Sequence, residues 1–362
     1  MRGEGTRVWD IDGREYLDCT AGIGVAALGH AHPVVIEALR EQASRLITCQ
    51  ELFYNDQRAA LFKRLDAVTP SSINRFFLSN SGAEANEAAI KFARAATGRT
   101  EIVATMRGYH GKTLGALSAT WGNDFREPFE PLVPGFHTIP FNRQEAIADT
   151  ISDATAAVLV EIVQGEGGVR PANEEFMQAL RLAGSEHGAL LVIDEVQTGF
   201  GRTGRLFAFE HHSVTPDILT LAKSVAGGLP MGVTAFGDTV GQLAKQSHTS
   251  TFGGNPLACA VAERVIAHIV AADLPTHAAE HGRHLMNAIR GLSKPQVREV
   301  RGLGLMIGIE LKQPAGKVVR SLMDEGILAL LAGPKVIRLL PPLVIEASDV
   351  DKIVHAFDKV LT

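Results

Sequence analysis

Short apolar runs alternate with helical patterns along the middle of the chain, from about residue 51 to residue 260. The runs are short and bounded by polar or glycine-containing segments, so they predict strands that are covered on both faces. Strands and helices that alternate in this way are typical of a wound α/β sheet. The predicted strands are centred on Phe76–Leu78, Ile102–Ala104, Ala157–Val160, Leu190–Ile193 and Leu219–Leu221.

The two ends of the chain follow a different pattern. An Asp-Gly turn at Gly13 predicts an N-terminal hairpin, and Pro33 is expected to begin an amphipathic helix that extends to about Ile47. The elements predicted for the C-terminal part are a long helix at 256–271, strands around Gly302 and Gly304 between 297 and 311, a helix at 316–325, a strand at 336–339, and a helix at 349–361 capped by Ser348.

The change of pattern near residue 261 predicts two domains. A chain of 362 residues is long enough for two sizeable cores. We expect a large domain with a mostly parallel wound sheet over residues 51–261. Residues 1–50 and 262–362 are expected to form a smaller α/β domain together.

Two of the predicted strands end close to a charged residue. Asp194 follows Leu190–Ile193, and Lys223 follows Leu219–Leu221 after one alanine. Because ligands of α/β sheets bind beyond the carboxyl ends of strands, both side chains are expected at one crevice. An amine and a carboxylate there suit pyridoxal 5′-phosphate (PLP), which forms a Schiff base with a lysine and needs a carboxylate at its ring nitrogen. Taken singly, Asp194 as a helix cap and Lys223 as a solvated strand end are ordinary interpretations.

Another predicted strand leads into a helix whose start is clearly marked. Ser81 and Glu84 fit the Ser-x-x-Glu pattern of a capping box. The amides of Gly82 and Ala83 carry no bulky side chains, so they are also able to donate to a phosphate at the helix N-terminus. By itself the segment is more often an ordinary capped helix.

Two loops at strand ends are rich in glycine. Glycines flank Tyr109 and His110, so the backbone can approach a ligand and either ring could stack on a planar group. Three glycines surround Glu166 at 164–168. Each loop is also compatible with a plain surface connection. A ligand-binding role is favoured because several such segments follow strands of one sheet.

Two further segments contain groups that could contact a ligand. Residues 249–256 hold hydroxyl groups and two glycines before a helix that Asn255 and Pro256 are expected to start, which suits either a turn or a phosphate contact. Arg338 lies in an apolar strand and needs an anionic partner, either a protein carboxylate or that of a substrate. We find no P-loop, Ser-His-Asp arrangement, metal-ligand cluster or nicotinamide-binding fingerprint.

Composition and charge narrow the classes of function. The net charge of −5 and the absence of basic stripes argue against nucleic-acid binding. No apolar stretch approaches the roughly 20 residues that span a membrane, and the start Met1–Gly5 has no apolar signal region. Three widely spaced cysteines indicate a reducing compartment. We therefore expect a cytoplasmic protein without a metal site.

These segments together resemble the class III (ω-amino acid) aminotransferases, in the subgroup that contains acetylornithine, ornithine and putrescine aminotransferases. The resemblance runs almost from end to end. It is carried by Leu28–Pro33, Asn80–Glu87, Gln164–Gly168, Asp194–Gly199, Leu221–Lys223, Thr251–Pro256 and Arg338–Pro342. It implies the fold-type I PLP enzyme, as a homodimer with active sites shared between subunits.

The resemblance also implies roles for individual residues. Lys223 would form the Schiff base and shuttle the proton, and Asp194 would pair with the pyridine nitrogen. The other cofactor contacts would be Ser81, Gly82 and Ala83 at the phosphate, Tyr109 on the ring, Gln197 at the ring hydroxyl, and Thr251 from the other subunit.

On the substrate side, the resemblance implies a switch between two residues. Arg338 would bind the α-carboxylate of the acceptor 2-oxoglutarate, and Glu166 would neutralise Arg338 while the amine donor is bound. One pocket would then accept two differently charged substrates in turn. The reaction implied is transfer of a terminal amine to 2-oxoglutarate, which gives a semialdehyde and glutamate.

The sequence contains signals for two classes of amine donor. Acetylornithine enzymes usually carry arginine where this chain has Lys112, which binds a carboxylate as a point charge without the fork geometry. Putrescine-type members resemble the chain at Lys112 and at 114–120. Residues 22–25 and 337–346 are more similar to the acetylornithine branch, which includes enzymes that act on carrier-protein-linked lysine precursors. We expect an acylated diamino acid, with putrescine or another diamine as the alternative.

Three other expectations stay open. An aminomutase or racemase would also use the pair of Lys223 and Asp194, whereas a PLP-binding regulator or an inactive homologue would bind the cofactor without turnover. Ile162 stands where relatives usually have proline, which is expected to have a local effect only. Relatives usually have further residues before Arg2, so the chain is expected to be truncated there.

Overall fold

The computed structural model of the chain describes residues 1–245 and 247–361. Its strands are β1 Arg2–Glu4, β2 Arg7–Trp9, β3 Glu15–Asp18, β4 Arg75–Ser79, β5 Glu101–Thr105, β6 Phe136–Ile139, β7 Thr155–Val160, β8 Val163–Gln164, β9 Arg170–Pro171, β10 Leu190–Asp194, β11 Ile218–Leu221, β12 Gly232–Phe236, β13 Val297–Leu303, β14 Met306–Leu311, β15 Ile327–Leu328, β16 Leu330–Leu331 and β17 Val336–Leu339. Its helices are α1 Ala21–Gly24, α2 Pro33–Ala43, α3 Asp56–Val68, α4 Gly82–Thr97, α5 Leu114–Ala119, α6 Asn123–Arg126, α7 Glu174–His187, α8 Pro256–Ala271, α9 Leu274–Gly291, α10 Gly316–Asp324 and α11 Ala347–Val360.

The strands and helices with strong local signals lie where the sequence predicts them. The five strands of the middle of the chain are β4, β5, β7, β10 and β11, and the hairpin at Gly13 is formed by β2 and β3. Helix α8 begins at Pro256, with the Asn255 side chain accepting the Ala258 N–H at 2.8 Å. Two strands that we did not predict, β6 and β12, complete the large sheet.

Two helix boundaries differ from the prediction. Helix α2 ends at Ala43 rather than near Ile47, and the Gln42 amide donates to the Leu46 carbonyl in the turn that follows. Helix α11 begins two residues before the predicted start, so Ser348 is not its cap. The Asp349 carboxylate instead accepts the Glu346 N–H at 3.4 Å and the Thr6 hydroxyl at 2.9 Å. Glu346 and Asp349 thus form a capping box at the start of this helix, and the contact with Thr6 ties the helix start to the N-terminal part of the chain.

The central sheet has seven strands in the order β4-β12-β11-β10-β7-β5-β6. β10 is parallel to both β11 and β7, and only β12 runs against the others. Asp194 pairs with Thr220 across β10 and β11, so the two strands deliver Asp194 and Lys223 to the same edge. The mostly parallel α/β sheet predicted from the sequence is confirmed.

Helices cover this sheet on both faces. Alternate residues of each central strand lie in two separate apolar clusters. In β10, Leu191 and Ile193 face one cluster, and Leu190 and Val192 face the other, which contains apolar side chains of α4. This double burial explains why the strands are continuously apolar. It also leaves the strand ends as the place where polar side chains are gathered.

Two smaller sheets form the rest of the framework. One has the order β13-β14-β17-β16 and is antiparallel. The other has the order β1-β2-β3-β15, where β15 from the C-terminal part runs parallel to β3. The first of these sheets contributes Arg338, from β17, to the site described below.

Helix α9 packs closely against the loop between β13 and β14. A Cβ atom added at Gly282 would lie 1.8 Å from the Gly304 carbonyl oxygen, whereas one at Gly291 would meet nothing within 4 Å. We expect Gly282→Ala to lower the free energy of unfolding by about 3 kcal/mol, because backbone must move to accept the methyl group. Gly291→Ala is the control and should be neutral or slightly stabilising. Denaturant unfolding of both variants measures the difference, and equal stabilities would contradict the prediction.

Candidate functional site

A cavity of about 500 Å³ lies beyond the carboxyl ends of β5, β7, β10 and β11. The structure brings most of the predicted site residues to its wall. Those that line it are Ser81, Gly82, Ala83, Tyr109, His110, Lys112, Glu166, Asp194, Gln197 and Lys223. Arg338 lies directly behind Glu166 and Gln197. Thr251 is exposed and does not line the cavity.

Lys223 begins a short 3₁₀ turn just after β11, with the unusual left-handed φ of 42°. Its amine has no hydrogen-bond partner among the described residues. Burial lowers the pKa of Lys223 to about 8, although the Asp194 and Glu166 carboxylates oppose the shift. A strained lysine with a lowered pKa is suited to act as a nucleophile and as a proton carrier near neutral pH.

The lowered pKa of Lys223 predicts a pH dependence for cofactor uptake. Only the neutral amine attacks an aldehyde, and its fraction rises as the pH increases through the pKa. We therefore expect the rate at which PLP joins the apoprotein to rise with pH and level off above about 8. Stopped-flow absorbance measures this rate, with Lys223→Ala apoprotein as the blank. A midpoint near the ordinary lysine value of about 10.4 would contradict the prediction.

Asp194 is held by a buried network that the sequence did not reveal. Its Oδ2 atom is 2.8 Å from His110 Nδ1 and accepts the Asn86 side-chain amide at 2.8 Å, and its Oδ1 accepts the Val196 N–H at 2.9 Å. Asn86 in turn accepts the Thr220 hydroxyl at 2.8 Å. These contacts fix the direction of the carboxylate at the floor of the cavity. The only signal for Asn86 in the sequence is its position one turn inside α4.

The His110 side chain is therefore a hydrogen-bond partner of Asp194. Although burial disfavours the protonated imidazole, the hydrogen bond to Asp194 raises the pKa of His110. Its Nε2 atom is buried without a partner among the described residues. The imidazole and the Asp194 carboxylate thus form a buried hydrogen-bonded pair at the floor of the cavity.

A second buried carboxylate lies close to this network. Glu161 accepts the Tyr109 N–H at 2.9 Å and the Gly165 N–H at 3.1 Å, so it ties the two glycine-rich loops together. Burial raises the pKa of Glu161 to about 7, against the effect of nearby His110. The sequence placed Glu161 at the end of a strand but gave no indication of this role.

The N-terminus of α4 forms one end of the cavity. The Ser81 side chain accepts the Glu84 N–H at 3.1 Å and donates to Glu84 Oε2 at 2.9 Å, so the predicted cap is confirmed and the hydroxyl is engaged. The Gly82 and Ala83 amides have no acceptor among the described residues. A Cβ atom at Gly82 would lie 2.6 Å from Val196 Cγ1. Glycine thus allows the helix start to approach the loop after Asp194, and its free amides point to an anion.

The opposite side of the cavity carries an ion pair between the sheets. Arg338 Nη1 is 2.7 Å from Glu166 Oε1 and 3.2 Å from Gln197 Oε1. Arg338 is almost fully buried, whereas Glu166 is partly exposed to the cavity. The Arg338 Nε atom is buried without a partner among the described residues. The arginine therefore has hydrogen-bonding capacity beyond its contacts with Glu166 and Gln197.

Tyr109 and Lys112 form the outer wall. The Tyr109 ring contacts Phe125 edge-on, with ring centroids 5.7 Å apart. Lys112 is exposed, and its amine lies 5.8 Å from the centre of the Phe125 ring. Burial, and then the charge of Glu166, raise the pKa of Tyr109. The wall thus offers an aromatic face and one mobile cation.

These groups fit PLP. Free amides at a helix N-terminus suit its phosphate, an ionised carboxylate suits its ring nitrogen, an aromatic ring suits its face, and an unpaired amine suits its aldehyde. Within residues 1–245 and 247–361, no group of three or more His, Cys, Asp or Glu side chains is arranged to hold a metal ion. The same ranges contain no helix that is long and apolar enough to cross a bilayer.

Comparisons with known proteins agree with this chemistry. The chain is 46% identical over 365 residues to the [LysW]-aminoadipate semialdehyde transaminase of Deinococcus radiodurans, and this alignment covers 100% of the chain and 85% of that relative. It is 48% identical over 353 residues to the acetylornithine aminotransferase of Methanopyrus kandleri, and this alignment covers 97% of the chain and 90% of that relative.

Solved structures give the same result. The ornithine aminotransferase of Toxoplasma gondii superposes with a TM-score of 0.96 at 34% identity, over 100% of the chain and 89% of that protein. A PLP-bound amine transaminase from an uncultivated Pseudomonas species superposes with a TM-score of 0.95 at 29% identity, over 100% of the chain and 94% of that protein. The fold is therefore that of the fold-type I PLP enzymes. The family model "Aminotransferase class-III" matches residues 1–361, so the chain belongs to the class III aminotransferases and is a PLP-dependent transaminase.

Proposed function

We propose that the enzyme transfers the terminal amine of an acylated diamino acid, with acetylornithine as the leading candidate, to 2-oxoglutarate. The products are a semialdehyde and glutamate. The observation that carries this proposal is the ion pair between Glu166 and Arg338 beside Lys223, at 2.7 Å. The relatives at 46% and 48% identity, a [LysW]-aminoadipate semialdehyde transaminase and an acetylornithine aminotransferase, support the donor class.

The residues of the cavity have distinct proposed tasks. When bound, PLP supplies an aldehyde that condenses with amines and a ring that withdraws electrons from the substrate carbon. Lys223 would take and hold a proton from that carbon, because a large part of its amine is neutral near its pKa of about 8. Asp194 would pair with the ring nitrogen, and Tyr109 would stack on the ring. Gln197 would hydrogen-bond the ring hydroxyl, and the amides of 81–83 would hold the phosphate, with help from Thr251 of a second subunit.

The ion pair lets one pocket accept two different substrates. While Glu166 binds Arg338, the guanidinium is neutralised and a donor enters with its uncharged chain toward this wall. When Glu166 turns away, Arg338 is free to bind the α-carboxylate of 2-oxoglutarate through two hydrogen bonds. Binding of the keto acid compensates the arginine charge that Glu166 leaves behind.

Glu166→Gln tests this switch. Without the carboxylate Arg338 is always available, so the KM for 2-oxoglutarate should fall several-fold. The kcat/KM for the ω-amine donor should fall about tenfold, because an unpaired buried charge then faces that substrate. Steady-state kinetics of both substrates measure the split. Glu186→Gln, at an exposed residue of α7, is the control, and a parallel loss for both substrates would contradict the switch.

Lys112 is the residue that we propose to contact the donor's α-carboxylate. A lysine offers a point charge at this position, which suits acetylornithine, whereas putrescine has no carboxylate to bind. Absorbance of the PLP-bound enzyme, recorded before and after addition of each amine, separates these donors. Loss of the visible band with acetylornithine supports the proposal. Loss with putrescine alone would make the enzyme a diamine aminotransferase.

We also propose that residues 51–261 form a large domain and that residues 1–50 and 262–362 form a smaller one.

We propose in addition a homodimer that shares its active sites. Exposed apolar side chains of Leu52, Phe53 and Tyr54, together with Phe252 beside Thr251, support a subunit interface. Mixing Lys223→Ala with Thr251→Ala subunits tests it. Each mixed dimer would then contain one complete site and regain activity, whereas no recovery beyond the separate variants argues against shared sites.

The proposed location is the cytoplasm. Cys19, Cys49 and Cys259 are all free thiols, and two of them are buried. Free thiols persist in a reducing compartment. Fractionation of cells that express the protein measures the location directly.

A further inference from the structure

Two further cavities continue from the catalytic cavity. The first, of about 540 Å³, shares Tyr109 and Glu166 with it. The second, of about 810 Å³, shares Arg107 and Arg170 with the first. The shared residues place the three cavities in sequence from Lys223 outward. We call the two outer cavities together the arginine groove.

The outermost part of the arginine groove is strongly cationic. Among the described residues, five arginines and one glutamate, Glu299, line it. Two of these arginines have structural tasks. Arg301 donates to the Gly168 carbonyl at 2.6 Å and binds Glu299 and Glu310, and Arg290 donates to the Val300 carbonyl at 2.7 Å.

The other three arginines have hydrogen-bonding capacity to spare. Arg107 and Arg143 are exposed and have no hydrogen-bond partner among the described residues. Arg170 approaches Glu310 only at 3.5 Å, and its Nε atom is buried without a partner there. Burial, and then the charges of Arg301 and Arg107, lower the pKa of Arg170. Cations that repel one another across a cavity favour an anionic ligand.

The backbone holds Arg107 in place next to the glycine-rich loop at 164–168. Its φ of 69° is in the left-handed region, which is rare for a residue other than glycine. A Cβ atom at Gly167 would lie 2.5 Å from the Arg107 carbonyl oxygen, so the two loops are in direct contact. Glu166 is the neighbour of Gly167. Strained residues of this kind concentrate at functional sites.

We propose that the arginine groove binds a carboxylate-bearing N-acyl group of the amine donor. The amine end lies at Lys223, the acyl chain passes Tyr109 and the aromatic wall of Trp121 and Phe125, and the carboxylates reach Arg107, Arg143 and Arg170. This inference rests on the proposed function, in which the donor is an acylated diamino acid. An acetyl group is uncharged and short, so it would leave the groove unused.

A binding experiment tests the groove without turnover. The probe is a capped triglutamate peptide, titrated into the PLP-bound enzyme by calorimetry at low and high salt. We expect binding that weakens with salt and that falls about 100-fold in the double variant Arg107→Gln, Arg143→Gln, at about tenfold for each charge-assisted contact. Arg320→Gln, at an exposed residue of α10, should bind as the unmodified enzyme does. No binding, or equal binding by the double variant, would overturn the proposal.

A pair of matched donors tests it during turnover. Nα-glutarylornithine and Nα-pentanoylornithine have acyl chains of equal length, and only the first ends in a carboxylate. We expect kcat/KM to favour the glutaryl donor about tenfold, and the double variant to abolish this preference while pentanoyl turnover is kept. Equal turnover of the two donors would overturn the groove alone. Turnover of putrescine, with no turnover of either acylated donor, would overturn the proposed function.

Discussion

Replacing Lys223 with alanine is expected to lower kcat for transamination by about 10⁴-fold. The amine faces the cavity without a partner, and its pKa of about 8 makes it the described group best suited to carry a proton there. The variant should also lack the visible absorbance of the lysine-bound cofactor. Single-turnover kinetics with acetylornithine, together with the spectrum, measure both effects.

Lys317→Ala is the matched control for this variant. Lys317 is exposed on α10 and has no hydrogen-bond partner among the described residues. Added methylamine should restore part of the Lys223→Ala activity, because a small amine fits the space that the side chain leaves. Rescue would separate lost proton transfer from a damaged fold. Activity of Lys223→Ala close to that of the unmodified enzyme would defeat the assignment.

Asp194→Asn is expected to lower kcat by about 10³-fold while the protein still folds. An amide of the same shape can accept the Val196 N–H but carries no charge to keep the cofactor's ring nitrogen protonated. It also removes the anionic partner that raises the pKa of His110. We therefore expect His110 to titrate at lower pH in this variant, which NMR of the imidazole measures.

Thr220→Val is the control for the Asp194 network. It removes the hydroxyl that donates to Asn86 at 2.8 Å but leaves Asp194 itself unchanged. Its kcat should fall less than tenfold, since Asn86 keeps its own bond to Asp194. A loss as large as that of Asp194→Asn would mean that packing, and not the carboxylate charge, explains the effect.

The candidate site was only partly predictable. Asp194 and Lys223 were found because both follow apolar strands, and the order of elements places such residues at one edge of a sheet. His110 was assigned an incomplete role, and Asn86 and Glu161 were missed as partners. His110 is 84 positions and Asn86 108 positions from Asp194 along the chain, so no local pattern connects them.

The arginine groove is a clearer example of the same limit. Arg107 and Arg143 follow β5 and β6, Arg170 begins β9, and all three look like ordinary surface arginines in the sequence. Their grouping depends on how the loops after β5 and β6 meet β9. The charge they share is a property of the folded surface.

The sequence by itself determined the wound sheet, the starts of α4 and α8, and the placement of Asp194 and Lys223, the two residues proposed for cofactor chemistry, at one edge of the sheet. These follow from periodicity, capping and strand ends, which are short-range signals. The tertiary structure alone decided the place of β12 and the ion pair of Glu166 with Arg338. Each of these depends on contacts between residues far apart in the chain, whose energies no local pattern contains.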